Sequence, residues 1–165
     1  TADPADLDQL ARMVAAGAHL HAELDPARYR APPPNQISPM LASLLQEKSD
    51  LDRGIILAAE RSQTLVGTAM IQRRKGARKL LRKAENVLHI TWIWVEPEYR
   101  KAGIARALLF EAERHARQAG IPQIRCEISG ANEPSKLLFG NQGFSVTQSI
   151  LCKSIASDSS ANTRR

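Results

Sequence analysis

The chain has 165 residues, 43% of them apolar and 24% charged. That is room for one hydrophobic core, with no apolar run near the roughly 18 residues that a membrane span needs. The formal charge is +6, yet Arg73, Arg74, Lys75, Arg78, Lys79, Arg82 and Lys83 put seven positive charges between 73 and 83, so the rest of the chain carries −1.

The chain opens at Thr1 without an initiator methionine, and a short element ahead of it is allowed for. Leu7, Leu10, Met13, Val14 and Leu20 follow helical spacing behind Asp3 and Pro4, which predicts an amphipathic helix over 5–22. Pro26, Pro32, Pro33, Pro34 and Pro39 then predict an extended loop over 25–39. Leu41, Leu44 and Leu45 mark a second, shorter helix over 39–47. Residues 55–60 and 64–72 are apolar on both alternating faces, as buried antiparallel strands joined by a hairpin would be. The basic run comes next, read as a loop or short helix with Leu80 and Leu81 packing inward.

From Val87 to Val95, His89, Thr91, Ile93 and Val95 alternate with Leu88, Ile90, Trp92 and Trp94, which predicts a long central strand. The tryptophan face is expected to pack on a helix. A third helix runs from Gly103 through Ile104, Leu108, Ala112 and Ala116 and stops at Gly120 before Pro122. Ile124, Cys126 and Ile128 read as one strand face, Asn132 as the cap of a helix through Leu138, and Gly143–Phe144 as the start of a final strand pair ending near Ile155. The Ser-rich residues 156–165 read as a disordered tail. Residues 1–155 thus form a single mixed α/β domain.

Cys126 and Cys152 stand far apart without CxxC spacing, so both are expected to be buried, unreactive thiols in a reducing cytoplasm. His19, His21 and His115 match no metal-ligand spacing, and no metal is expected. The segment with the most chemistry is Val95-Glu96-Pro97-Glu98-Tyr99-Arg100-Lys101-Ala102-Gly103-Ile104-Ala105. Here a strand end passes through a basic turn into a helix N-terminus, whose free amides and dipole suit a phosphate or pyrophosphate. The same pattern also occurs in turns that hold no ligand.

Val-x-Pro-x-Tyr-Arg-x-x-Gly-Ile-Ala, with Leu108 and Leu109 following, resembles the acyl-CoA signature of the GNAT superfamily of N-acetyltransferases. Downstream, Asn132-Glu-Pro-Ser135-Lys-Leu-Leu138-Phe139-Gly-Asn-Gln-Gly143-Phe144 is similar to that family's next motif. The resemblance implies a strongly twisted mixed sheet flanked by helices, whose central strand splays from its neighbour so that acetyl-CoA enters the wedge. Backbone groups of Ile93, Trp94 and Val95 would pair with pantetheine. The amides of Arg100, Lys101, Ala102, Gly103, Ile104 and Ala105 would take the pyrophosphate with Arg106 as counter-charge, and Asn132, Ser135, Lys136 and Phe139 would line the other side.

Transfer to a primary amine needs deprotonation, oxyanion donors and, in some cases, an acid. The Val95 amide is expected to be the oxyanion donor. His89, read on the same strand face as Val95, is the candidate base; the alternative is a structural histidine, and Glu96, the second candidate, reads as a solvated turn residue. Phe139 stands where many family members carry a Tyr acid, so transfer is expected without a dedicated acid, with Tyr29 and Tyr99 as substitutes.

The expected partner is an amine of a small molecule, peptide or protein, which Glu23 and Asp25 would attract. The basic run would instead attract an acidic acceptor or nucleic acid, disfavoured without interleaved aromatics. No membrane partner is expected, and a homodimer is allowed for. The alternative function is a GNAT-like module that binds CoA or an anionic partner without turnover.

Overall fold

A computed structural model describes residues 1–46, 50–78, 80–81 and 83–153. After a 3-10 turn at Pro4–Asp6, the elements are α1 (Leu7–Leu24), α2 (Pro34–Gln46), β1 (Ile55–Arg61), β2 (Thr64–Gly76), β3 (Glu85–Val95), α3 (Ile104–Gln118), β4 (Gln123–Cys126) and α4 (Glu133–Asn141). The strands form one sheet in the order β1-β2-β3-β4. The first three are antiparallel, and β4 returns parallel to β3 after the α3 crossover.

The sheet is covered on both faces. Leu57, Ala69, Ile71, Leu88 and Ile90 pack with Leu108, Leu109 and Ala112 of α3 and Phe139 of α4. Ile56, Leu65 and Met70 pack with Leu10 and Met13 of α1 and Ile37 and Leu41 of α2. This is why β1 and β2 read as apolar on both faces.

Local chemistry sets the helix ends. The Asp3 carboxylate accepts the Ala5 amide at 2.9 Å and the Asp6 carboxylate accepts the Asp3 amide at 2.8 Å, a reciprocal cap ahead of α1. Beside it the Ala2 amide donates to the Ile56 carbonyl of β1 at 2.8 Å. At the end of α3, Gly120 takes φ 61° and the Ile121 amide closes back onto the Ala116 carbonyl at 2.9 Å.

Several expectations need correction. The second helix begins at Pro34, not Pro39, and carries Pro39 inside it. A proline at the helix start removes an amide that would be unpaired anyway, Pro39 forfeits one bond, and burial of Ile37 and Leu41 outweighs that loss. β2 runs on to Gly76, drawing Arg73, Arg74 and Lys75 into the strand. Leu80 and Leu81 do not pack inward; they are 99% and 93% exposed in the β2–β3 connection.

Residues 144–153 form no strand, and Val146, Ile150 and Leu151 are exposed. Alternation gives strand propensity, but a strand exists only against a partner edge, and among the described residues β4 pairs with β3 alone. Cys152 is exposed, not buried. The last residues expected in that strand pair, and the tail at 156–165, lie outside the described residues.

Candidate active site

The site begins with a register fault. Met70 of β2 pairs with Trp92 and Ile71 with Ile90, so β3 holds one extra residue, Thr91, whose hydroxyl donates to the Met70 carbonyl at 3.3 Å. Such a bulge inverts the facing of everything beyond it. Leu88 and Ile90 face α3 before the bulge, and Ile93 does so after it, while Trp92 and Trp94 turn to α1 and α2. His89 pairs with Gln72, two residues from Met70, and therefore lies on the α1/α2 face with the tryptophans. The expectation that His89 shares a face with Val95 and opposes Trp92 and Trp94 is thus corrected, because strict alternation ignores Thr91.

The same point opens the sheet. β3 and β4 pair only from Val87↔Gln123 to Ile90↔Cys126, and beyond that β3 continues to Val95 paired with β2 alone. The Glu96 amide donates to the Val66 carbonyl at 3.0 Å, so by strand alternation the amides of Ile93 and Val95 point to the other, open edge. The backbone of Trp94, paired with Thr68, is turned to β2. Of the three residues expected to meet pantetheine, Ile93 and Val95 therefore carry the free amides.

Val95 leads into a 3-10 turn at Pro97–Tyr99 and then to α3. Lys101 and Gly103 both take left-handed backbone, φ 63° and 81°, which curls the chain so that successive amides converge. The amides of Lys101, Ala102, Gly103, Ile104, Ala105 and Arg106 have no hydrogen-bond partner among the described residues, whereas the Arg100 amide is bound to the Pro97 carbonyl at 3.3 Å. The Arg100 side chain braces the turn: its Nε donates to the Val95 carbonyl at 3.0 Å, and its guanidinium lies 4.8 Å from the Trp94 ring centroid. Gly67 lets this turn approach the sheet, since a Cβ there would sit 2.7 Å from Ile104 Cγ2.

His89 is buried, with neither ring nitrogen hydrogen-bonded and Nε2 3.9 Å from the Glu127 carboxylate. Burial pushes its pKa down, Arg74 and Arg125 push the same way, and Glu127 opposes them. The ring is therefore held neutral near pH 7. Cys126, at the last paired position before the sheet opens, has its thiol pushed up to about 11 by burial and the Glu127 charge, so it is a protonated thiol and a poor nucleophile.

The residues of the second motif gather at the start of α4. Asn132 is buried and spends its side chain on the Ser135 amide at 3.1 Å, as a helix cap. Lys136 is tied to the Gly130 carbonyl and to Glu133. Phe139 presents almost no surface, 3%, and meets Phe144 edge to face at 5.0 Å. It is a core residue, not the cleft-lining one expected.

Sequence reasoning missed the wall on the α1/α2 face. His21 at the end of α1 meets Tyr29 and Trp92 with tilted rings, centroids 5.2 Å and 5.9 Å away. Trp92 reaches this position because Gly17 leaves room, a Cβ there lying 2.4 Å from its ring. A glycine amid a strong helix pattern was the available signal.

The arrangement fits the expected cofactor: an open strand edge with two free amides runs into a cradle of unpartnered amides. The comparisons agree with that geometry. The sequence profile of the Acetyltransferase (GNAT) family matches residues 19–144. Mycothiol acetyltransferase of Nocardiopsis dassonvillei is 33% identical over 66 residues, which is 40% of this chain and 20% of that protein, so the match spans about a fifth of that relative's length. A mutant of the BH1408 protein from Bacillus halodurans shares the fold with a TM-score of 0.81 at 14% identity over 94% of this chain and 97% of that one. The aminoglycoside N-acetyltransferase AAC(6')-Iy, solved with CoA, does so with a TM-score of 0.69 at 17% identity over 94% and 92%. GNAT acetyltransferases draw their acetyl group from acetyl-CoA. With both sequence motifs inside the matched region and the splayed strand in place, the chain belongs to the GNAT family of acetyltransferases.

Proposed function

We propose that this protein is an N-acetyltransferase that moves an acetyl group from acetyl-CoA to a primary amine by direct attack in a ternary complex. The observation that carries this reading is the pair of unpartnered amide sets, those of Ile93 and Val95 on the open edge of β3 and those of Lys101–Arg106 at the start of α3. The turn amides and Arg106 would hold the diphosphate, and the Ile93 edge would hold pantetheine, as a strand holds a strand, which leaves the Val95 amide for the thioester carbonyl. Asn132, Ser135 and Lys136 would flank the cofactor through the start of α4.

In this reading the neutral amine attacks the thioester carbonyl carbon. A C–N bond forms, the C–S bond breaks, and CoA leaves as the thiolate. The Val95 amide steadies the oxyanion at no cost in reorganisation. His89, kept neutral by its burial, takes the amine proton by way of intervening water, because the stretch of β3 between it and Val95 spans about 20 Å. It shares its face with Trp92, Trp94 and His21, so the acceptor enters from the α1/α2 side. Cys126, protonated beside the opening, supports direct attack over an acyl-enzyme route. A thiol of pKa about 8.5 leaves without a strong acid, which suits the buried Phe139.

A second reading, a CoA-binding module without turnover, is favoured by one observation: Phe139 offers no proton and sits in the core. Release of CoA thiol from acetyl-CoA, followed across polyamines, amino acids, aminoglycosides and peptide N-termini, separates the two. Amine-dependent release supports transfer. A rise in melting temperature with acetyl-CoA but no release with any amine would leave only the binding module.

A further inference from the structure

The β2–β3 connection carries a feature that acetyl transfer does not use. β2 runs past Ile71, its last residue paired with β1, to Gly76, and β3 enters at Glu85, so the hairpin overhangs the sheet. At its end Leu80 and Leu81 are 99% and 93% exposed. In the sequence they are bracketed symmetrically, Arg78-Lys79-Leu80-Leu81-Arg82-Lys83.

Nearby acids serve the base of the hairpin: Asp52 pairs with Lys75 at 2.7 Å and approaches Arg73 at 3.9 Å, and Glu85 holds Arg125 at 3.3 Å. Arg74, Arg78 and Lys83 have no ion pair among the described residues. Unpaired positive charge thus stands beside two leucines that are almost fully exposed.

We propose that the β2–β3 hairpin tip is a peripheral anchor for an anionic lipid surface, with Leu80 and Leu81 entering the headgroup–acyl boundary while Arg78 and Lys83 engage lipid phosphates. Each half of the feature demands this combination. The cations call for a polyanion, but a soluble one, such as nucleic acid, would leave both leucines in water, and the tip offers no aromatic ring for base stacking. An anionic leaflet satisfies charge and leucines together. No helix among the described residues is long and apolar enough to cross a membrane, so the contact is with the surface. The eleven-residue β3 separates the tip from the α3 turn by about 33 Å, which leaves the cofactor cleft open while the tip is engaged.

Flotation of the full chain with vesicles of phosphatidylcholine plus phosphatidylserine, against phosphatidylcholine alone, tests this. The serine-lipid vesicles should bind the chain, less so as salt rises. Leu80→Ser with Leu81→Ser should weaken binding about tenfold at unchanged charge. Arg78→Gln with Lys83→Gln should weaken it roughly 25-fold, about fivefold per cation. Both variants should melt as the parent does, because the altered side chains make no ion pair or core contact. No flotation at low salt would overturn the proposal. So would flotation equal in parent and leucine variant, or leucine-independent binding of single-stranded RNA in its place, since either assigns the tip to polyanions in general.

Discussion

The two halves of β3 make the most instructive contrast in the molecule. From Val87 to Ile90 the strand is paired on both sides and packs as a sheet centre should; from Trp92 to Val95 it is paired only with β2. Residue types barely differ between the halves. What differs is Thr91, one residue too many, together with the departure of β4 after Cys126. The paired half supplies stability and buries His89, and the open half supplies unsatisfied amides, which a sheet interior cannot tolerate without a partner. In the proposed reading the cofactor site is a sheet left unfinished on one edge.

Inserting one residue between Met70 and Ile71, opposite Thr91, should have the largest effect. It would restore the register and drive Trp92 and Trp94 toward α3, a loss of about 4 kcal/mol or more against a typical stability of ~5–15 kcal/mol. Chemical denaturation should show a much lower midpoint or no cooperative transition; an unchanged midpoint would mean the bulge is incidental. His89→Gln probes the paired half: turnover should fall at least ~100-fold at neutral pH and the acid limb of the pH–rate profile should flatten. Full activity with the limb intact would relegate His89 to structure.

The same histidine links stability to pH. Its folded pKa lies below the ordinary value of about 6.5, so the unfolded chain takes the proton first as pH falls. Stability from this group is complete above about pH 6.5 and declines below it, through the window down to the lowered folded pKa. His21 and His115, also shifted down, act in the same direction. Melting curves of His89→Gln should lose part of this acid sensitivity, and curves that match the parent at every pH would contradict the burial argument.

Gly67→Ala sharpens the contrast from the open side. Its Cβ would press on Ile104 and approach the Trp94 carbonyl at 3.3 Å, which should cost ~1–3 kcal/mol and weaken acetyl-CoA binding measured by calorimetry. Gly103→Ala meets no neighbour within 4 Å, so only its φ of 81° is at stake; about 1 kcal/mol of strain and a several-fold loss of acetyl-CoA affinity are expected, with Gly103→Asn milder. Cys126→Ala should do least, with turnover within about twofold of the parent, because a protonated thiol at the apex does no chemistry. Abolished turnover with a normal melting curve would reopen the acyl-enzyme route.

Patterns a few residues long were legible in the chain. The spacing of Leu10, Met13 and Val14, the Gly103 and Gly120 bounds of α3, the Asn132 cap and the two-sided burial of β1 and β2 are local matters of side-chain period, backbone freedom and capping. The turn from Val95 to Arg106 was legible for the same reason, since its amides are freed by the helix start itself. What the tertiary structure alone decided depends on partners distant in the chain. Whether Thr91 bulges depends on what Met70 can pair with, and whether residues 144–153 become a strand depends on an edge to bind. Whether Phe139 faces a cleft or a core, and whether Leu80 and Leu81 turn in or out, depends on what packs above them. Hydrophobic alternation specifies a face but not the surface that will cover it, because burial is a property of two surfaces and one segment carries only one of them.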